Sequence, residues 1–207
     1  MRKRARRPED KAKRRVAILA AARRVFEDKG FDQTSMDDVA AEVQLSKGTV
    51  YLYFNSRDAL FSALLEQYQQ AVLADVEAAC SAPGSGYDRL FEIGRIYCGF
   101  LEQHPAWARM VARLLTDPSK QLELGALATM EMRAAGDRET ALLVDVVQLG
   151  VADGSLLPDT SPSTVAVGLF YALLGVAITP ASQGGGPGIV RSHLDTYMRG
   201  LRRKEEF

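Results

Sequence analysis

The segment Ser46-Lys47-Gly48-Thr49-Val50-Tyr51-Leu52-Tyr53 carries two hydroxyls, an ammonium, two phenols and a glycine within eight residues. Hydroxyls and phenols donate to phosphate oxygens, and an ammonium reaches O6 or N7 of guanine. A glycine among them permits a close approach of backbone to a base pair. Only Val50 and Phe54, with Leu52 as a third candidate, remain to pack inward. Such a segment makes a poor interior helix and a suitable groove-reading one.

A reading helix needs supports, and the flanking residues supply them. Thr34 is placed to cap a preceding helix, with Asp37 three residues on returning its carboxylate to the cap. Met36, Val39, Ala40 and Val43 give that helix an apolar face, and Asp37 and Asp38 lie in its first turn, where the dipole favours acids. A turn at Gln44-Leu45 follows, and Ser46 caps the reading helix. Upstream, Val16, Leu19, Ala22, Val25 and Phe26 predict a first helix from about Lys11 to Lys29, with Gly30 as its left-handed C-cap and Phe31 closing that cap. Downstream, Ser56 starts a helix that runs to about Ala79 through Leu60, Leu64, Tyr68, Val72 and Val76. Its length, about 35 Å at 1.5 Å per residue, suits a connector between two units.

The ordered run of Gly30-Phe31, Thr34 to Ala40, Ser46 to Phe54 and Ser56-Arg57-Asp58-Ala59-Leu60-Phe61 resembles the amino-terminal domain of the TetR family of transcriptional repressors (TetR/AcrR type). The resemblance covers roughly Val16 to Leu65. One departure is Gln44, where the family commonly has glycine, so either this residue carries backbone strain or the turn differs. The resemblance, together with side-chain chemistry, implies a DNA-binding site in which Lys47, the Gly48 backbone and Tyr51 meet base edges. Thr34, Ser46, Thr49, Tyr53 and Arg57 are the phosphate candidates.

The chain has 207 residues, 47% of them hydrophobic and 25% charged, enough for one or two compact domains. Its formal net charge is zero, but the charge is segregated: residues 1–15 hold nine Lys/Arg against Glu9 and Asp10. The basic end is also the end with the helix-turn-helix, as phosphate binding requires. Arg2 to Arg7 read as a disordered arm, laid on phosphates or the minor groove, or else simply solvated. No apolar stretch approaches the ~20 residues of a membrane span, which predicts a cytoplasmic protein without membrane contact. Cys80 and Cys98 show no metal-finger spacing and leave open inert thiols or a redox sensor. Two histidines, with no HExxH, G-x-S-x-G or phosphate loop, argue against an enzyme, a metal centre or a cofactor.

The remainder reads as helix throughout, so the fold class is all-α, with about nine helices. Pro83-Gly84-Ser85-Gly86 is the clearest break; helices follow from Tyr87 to Gln103, from Pro105 to a stop at Asp117-Pro118, and from about Lys120 to Ala152 with an interruption near Gly136. The expected organisation is a basic disordered arm (1–10), a helix-turn-helix domain (11–55), a connecting helix (56–80) and a helical ligand-binding and dimerisation domain (81–207).

The resemblance implies a small-molecule pocket in this last part. Phe91, Arg95, Cys98, His104, Trp107, Met110, Gln148 and Tyr171 are candidates to line it, and ordinary core packing accounts for each equally well. The stretch Thr164 to Thr179 is apolar nearly all round, with Gly168, Ala172 and Gly175 forming a small-residue strip. In the family this helix pairs with the last one in a four-helix homodimer interface, which here implicates Gly168, Ala172, Gly175, Leu194, Tyr197, Met198 and Leu201. A dimer implies an inverted-repeat operator in double-stranded DNA. The family further implies release by a small-molecule effector that moves the connecting helix. Control by a protein partner without such an effector, and activation instead of repression, stay open.

Overall fold

The computed structural model describes residues 8–116, 130–179 and 188–203. Among these the chain is all-α: α1 (Pro8–Lys29), α2 (Met36–Glu42), α3 (Lys47–Tyr51), α4 (Arg57–Ser81), α5 (Gly86–Gln103), α6 (Pro105–Thr116), α7 (Met130–Ala152), α8 (Pro162–Ala177) and α9 (Ile189–Leu201). No strand forms among them, and the one bridge pairs Leu156 with Arg202. None of the described helices is long and apolar enough to cross a membrane.

Two apolar cores share one long helix. The head core unites Ile18, Leu19, Ala22 and Phe26 of α1, Met36 and Val39 of α2, Val50 of α3 and the first half of α4 from Leu60 to Tyr68. The body core takes the second half of α4, Val72 and Val76, with Leu90, Ile93 and Tyr97 of α5, Leu143 and Val147 of α7, Leu169 and Leu173 of α8 and Leu194 and Met198 of α9. Phe100, Trp107 and Val111 border both. Helix α4 belongs to both cores and joins them.

Local chemistry sets the helix ends. Ser56 caps α4 by accepting from the Ala59 amide at 3.0 Å, and Ser85 caps α5 in a reciprocal box with Asp88. Gly30 ends α1 at φ +80°. At the far end of the body, α5 and α7 meet backbone to backbone: a Cβ on Gly86 would lie 2.1 Å from the Gly150 nitrogen. Only glycine fits there. The Gly86 amide then donates to Asp153 Oδ2 at 2.8 Å, fixing α5 to the end of α7.

Several expectations are revised. Pro8 opens α1, so Pro8, Glu9 and Asp10 are helical instead of part of an arm; residues 1–7 lie outside the described residues. Val16 is 61% exposed, because the buried stripe runs through Ile18, Leu19, Ala21, Ala22, Val25 and Phe26. The helix around Gly136 is continuous. The stop at Asp117-Pro118, the start near Lys120 and most of the Gly/Pro-rich loop at 180–187 fall outside the described residues.

Candidate nucleic-acid interface and interhelical cavity

The two helices of the reading motif are held by short-range hydrogen bonds. The cap of α2 is Ser35 instead of Thr34: Ser35 Oγ accepts from the Asp38 amide at 3.2 Å, and Asp38 Oδ2 accepts from the Ser35 amide at 3.0 Å. The box therefore sits one residue later than Thr34 and Asp37 predict. A turn after Gly30, in which the Thr34 amide donates to the Phe31 carbonyl, carries Thr34 inward; it is buried and its hydroxyl donates to the Gly30 carbonyl at 2.7 Å. Asp38 also accepts from Lys29 Nζ at 2.6 Å, and that bond, with those from Ser35, holds its carboxyl well below the usual carboxylate range.

The turn between α2 and α3 is a Schellman motif. The Leu45 amide donates to the Ala40 carbonyl at 2.9 Å and the Gln44 amide to the Ala41 carbonyl at 3.1 Å. Its left-handed position is Gln44, at φ +55°. Gln44 thus adopts the conformation for which glycine is the usual choice, at a cost of roughly 1 kcal/mol.

Ser46 Oγ accepts from the Thr49 amide at 3.2 Å and lies 2.8 Å from Thr49 Oγ1, starting α3. Val50 and Phe54 pack inward, whereas Leu52 is 76% exposed and no part of the core. Outward face Ser46, Lys47, Gly48 and Tyr51, with Thr49 half-buried at their side. A Cβ on Gly48 would meet nothing within 4 Å. Neither packing nor backbone geometry in the chain demands glycine there. Lys47 Nζ donates to Asp37 Oδ2 at 2.8 Å, and this bond raises the lysine's pKa.

Two phosphate candidates are otherwise engaged. Thr34 is buried, as described. Arg57 donates from Nε to the Thr34 carbonyl at 2.9 Å and from Nη2 to the Phe31 carbonyl, with its guanidinium 4.3 Å from the centre of the Phe31 ring. It ties the 30–34 turn to α4. Tyr53 is half-buried against the head core. On α1, Lys11, Lys13 and Arg15 are exposed, and the Arg15 guanidinium lies 4.8 Å from the centre of the Phe54 ring, just beyond α3.

In the body, a cavity of about 400 Å³ opens between α4, α5, α6, α7 and α8. Its aromatic walls are Tyr68, Tyr97, Phe100, Trp107, Phe170 and Tyr171. Of the residues predicted to form a pocket, Trp107, Met110 and Tyr171 line it. Phe91, Arg95 and Cys98 meet instead at a smaller cleft against α9, and Gln148 is exposed. Glu139, which sequence reasoning missed, also lines the cavity and accepts a hydrogen bond from the Tyr97 hydroxyl. Its signal was legible: Glu139 stands four, seven and eight residues before Leu143, Val146 and Val147, on the buried stripe of α7.

His104 belongs to the junction of head and body. Arg23 Nη2 lies 3.3 Å from His104 Nε2 and His104 Nδ1 lies 3.1 Å from Glu27 Oε1. Because arginine can only donate, Nε2 accepts and the ring is the neutral Nδ1–H tautomer. Burial first, then the Arg23 charge, lower the His104 pKa. Burial also pushes the Cys98 thiol up to about 11 and raises that of Cys80, which disfavours the thiolate that redox sensing needs.

Residues 18–64 match the model of bacterial regulatory proteins of the tetR family. The chain is similar to the HTH-type transcriptional repressor KstR2 of Mycolicibacterium smegmatis, 27% identical over 153 residues that cover 73% of this chain and 72% of that one. With the transcriptional regulator YfiR of Bacillus subtilis it shares 48% identity over 58 residues, and there the match spans 28% of either chain. A TetR-family regulator from Agrobacterium tumefaciens superposes with a TM-score of 0.73 at 18% identity, over 95% of this chain and all of that one. The family-model match places residues 18–64, the helix-turn-helix unit, with the tetR family of bacterial regulatory proteins.

The chain thus carries the helix-turn-helix of such DNA-binding regulators. The helix expected at its dimer face, α8, exposes a stripe of Val167 (49%), Tyr171 (50%), Gly175 and Ile178, and a Cβ on Gly175 would meet nothing within 4 Å. Gly168 and Ala172, half-buried, flank that stripe, and Gly168 faces the Tyr197 hydroxyl of α9. Leu194 and Met198 do not share the exposed face: both are buried in the chain's own core, with Leu194 against Gly94. Apolar spacing alone could not distinguish the two sides of α9. Tyr197 and Leu201 are only partly buried.

Proposed function

We propose that this regulator is a repressor that binds an inverted-repeat operator as a homodimer and is released by a small molecule held in the interhelical cavity. In this reading the residues up to about 55 read DNA, 56–80 connect, and the rest hold the effector and the dimer face.

The observation that carries the DNA half is Gly48. A glycine with open space where its side chain would be, flanked by outward Lys47 and Tyr51 with Thr49 half-buried beside them, suits close contact with something outside the chain. Lys47 and Tyr51 are the base-edge candidates; Ser46, Thr49 and Tyr53 are the phosphate candidates, together with Arg15, Lys13 and Lys11 of α1. Thr34 and Arg57 are not among them, because the buried Thr34 hydroxyl donates to the Gly30 carbonyl and Arg57 is held against the Phe31 and Thr34 carbonyls.

The apolar stripe of α8, Val167, Tyr171 and Ile178, supports pairing with a second copy, with Gly168, Ala172, Gly175, Tyr197 and Leu201 around it. Two reading helices about 34 to 36 Å apart would then enter successive major grooves. Release requires the effector to favour the dimer that cannot bind DNA; a coupling of about 1–3 kcal/mol weakens the operator roughly 5- to 150-fold. Repression is supported by the similarity to the transcriptional repressor KstR2.

The test is selection of bound fragments from the source genome by the wild type and by a Lys47→Ala/Tyr51→Ala double variant. One inverted repeat recovered by the wild type and lost in the variant supports the reading. Equal recovery of unrelated sequences by both would overturn it. Screening small molecules for release of the selected operator then tests the effector half.

A further inference from the structure

Among the described residues one acid, Glu139, lines the aromatic cavity, and no basic side chain pairs with it. Glu139 is on the buried stripe of α7, and among the described residues the group that stabilises its charge is the neutral Tyr97 hydroxyl. Tyr97 is itself only 2% exposed. Burial raises the pKa of both, as expected where a charge has been taken from water without a counter-ion. Removing a carboxylate from water is costly unless an opposite charge joins it.

What surrounds Glu139 suits a cation. Phe100 and Trp107 meet edge to face at 4.8 Å, Tyr97 and Phe170 at 5.3 Å, and Trp107 and Phe170 at 6.1 Å. Tyr68 and Tyr171 complete the walls. Faces of Trp and Tyr attract an organic cation through the ring quadrupole, most strongly where water is excluded. Among the described residues one basic side chain, that of Arg133, lines the cavity, and it is exposed whereas Glu139 is half-buried. At about 400 Å³ the space falls within the range of small-molecule sites.

We infer that this cavity is an organic-cation site, taking an ammonium or related monovalent cation on an apolar body, with Glu139 as counter-ion and the aromatic side chains as its cage. As the identity of the effector, this rests on the ligand-released reading above; as a binding site, it stands on the cavity alone.

The full-length protein carries its own reporter, because Trp107 is the sole tryptophan and lines the cavity. Tetraphenylphosphonium and tetraphenylborate have the same shape and opposite charge, and titrating each against Trp107 fluorescence compares them directly. The phosphonium is expected to bind at least about tenfold more tightly. Glu139→Gln keeps the shape and an acceptor for Tyr97; it should cost the phosphonium about tenfold or more and leave the borate unchanged or improved. Equal binding of the two ions by the wild type, preference for the borate, or no binding of either overturns the inference, and this comparison needs no variant to fold.

Adding phosphonium to the operator complex separates the two readings. Binding through Glu139 without operator release would remove the ligand-released reading and keep the cation site. Operator release by other compounds, with no phosphonium binding, would do the reverse.

Discussion

Tyr68, midway along the helix that joins head to body, donates its hydroxyl to Glu27 Oε1 on α1 at 2.8 Å while its ring lines the cavity. The same glutamate oxygen lies 3.1 Å from His104 Nδ1. One side chain therefore touches both the first helix of the head and the wall of the aromatic cavity. Tyr68→Phe removes the donor and leaves the ring. Hydrogen bonds to charged groups contribute about 1.5–3 kcal/mol, and the unfolding free energy should fall by about that much, read as a lower urea midpoint at unchanged m-value.

His104 links stability to pH. Its folded pKa is lowered from 6.5, first by burial and then by Arg23, so the unfolded chain binds the proton more readily. Its contribution is fully present above pH 6.5 and is lost as the pH falls through the lower folded value. Thermal unfolding followed downward from pH 7.5 should show a declining midpoint. In His104→Gln the part of that slope beginning near pH 6.5 should flatten.

Gly48→Ala separates folding from DNA binding. The added methyl meets nothing within the chain, and alanine favours the helix, so stability should hold or rise by up to about 1 kcal/mol. Operator affinity, read by fluorescence anisotropy, should fall. A variant that binds as well as the wild type would mean that no surface approaches Gly48.

Gln44→Gly should stabilise the head. The left-handed backbone at φ +55° costs glutamine what it does not cost glycine, and relief of about 0.5–1 kcal/mol is expected in chemical denaturation. The gain is partly offset by the greater freedom of glycine in the unfolded chain.

Lys47 and Tyr53 should differ in kind. Lys47→Ala gives up an exposed, solvent-screened pair with Asp37, so stability changes little while discrimination between operator and random DNA falls. Tyr53→Phe should weaken both DNAs similarly, as loss of a phosphate contact does. Competition titrations with operator and random duplexes measure the two effects.

Local signals in the sequence determined much of the head. Apolar spacing, serine caps and the Gly30 stop are read from neighbours within four residues, so they located α1, α4, α5 and the exposed face of α3. The all-α class and the ordered motifs of the reading unit followed from the same short-range rules. Ambiguity remained where adjacent residues offered the same chemistry. Thr34 and Ser35 can each cap a helix, and the choice was made by the turn after Gly30, which buries one hydroxyl and exposes the other.

Only the tertiary structure decided which faces meet. Arg57 reads as a phosphate ligand until the 30–34 turn folds back and presents its carbonyls. Leu194 and Met198 read as an interface until Gly94 of α5 lets α9 approach closely enough to bury them. Glu139 could be placed on an apolar stripe from spacing alone, but its position in the aromatic cavity beside Tyr97 depends on how α5, α7 and α8 converge. Helical periodicity specifies a side chain's direction around its own axis; the neighbour it then meets is set by packing between residues tens of positions apart.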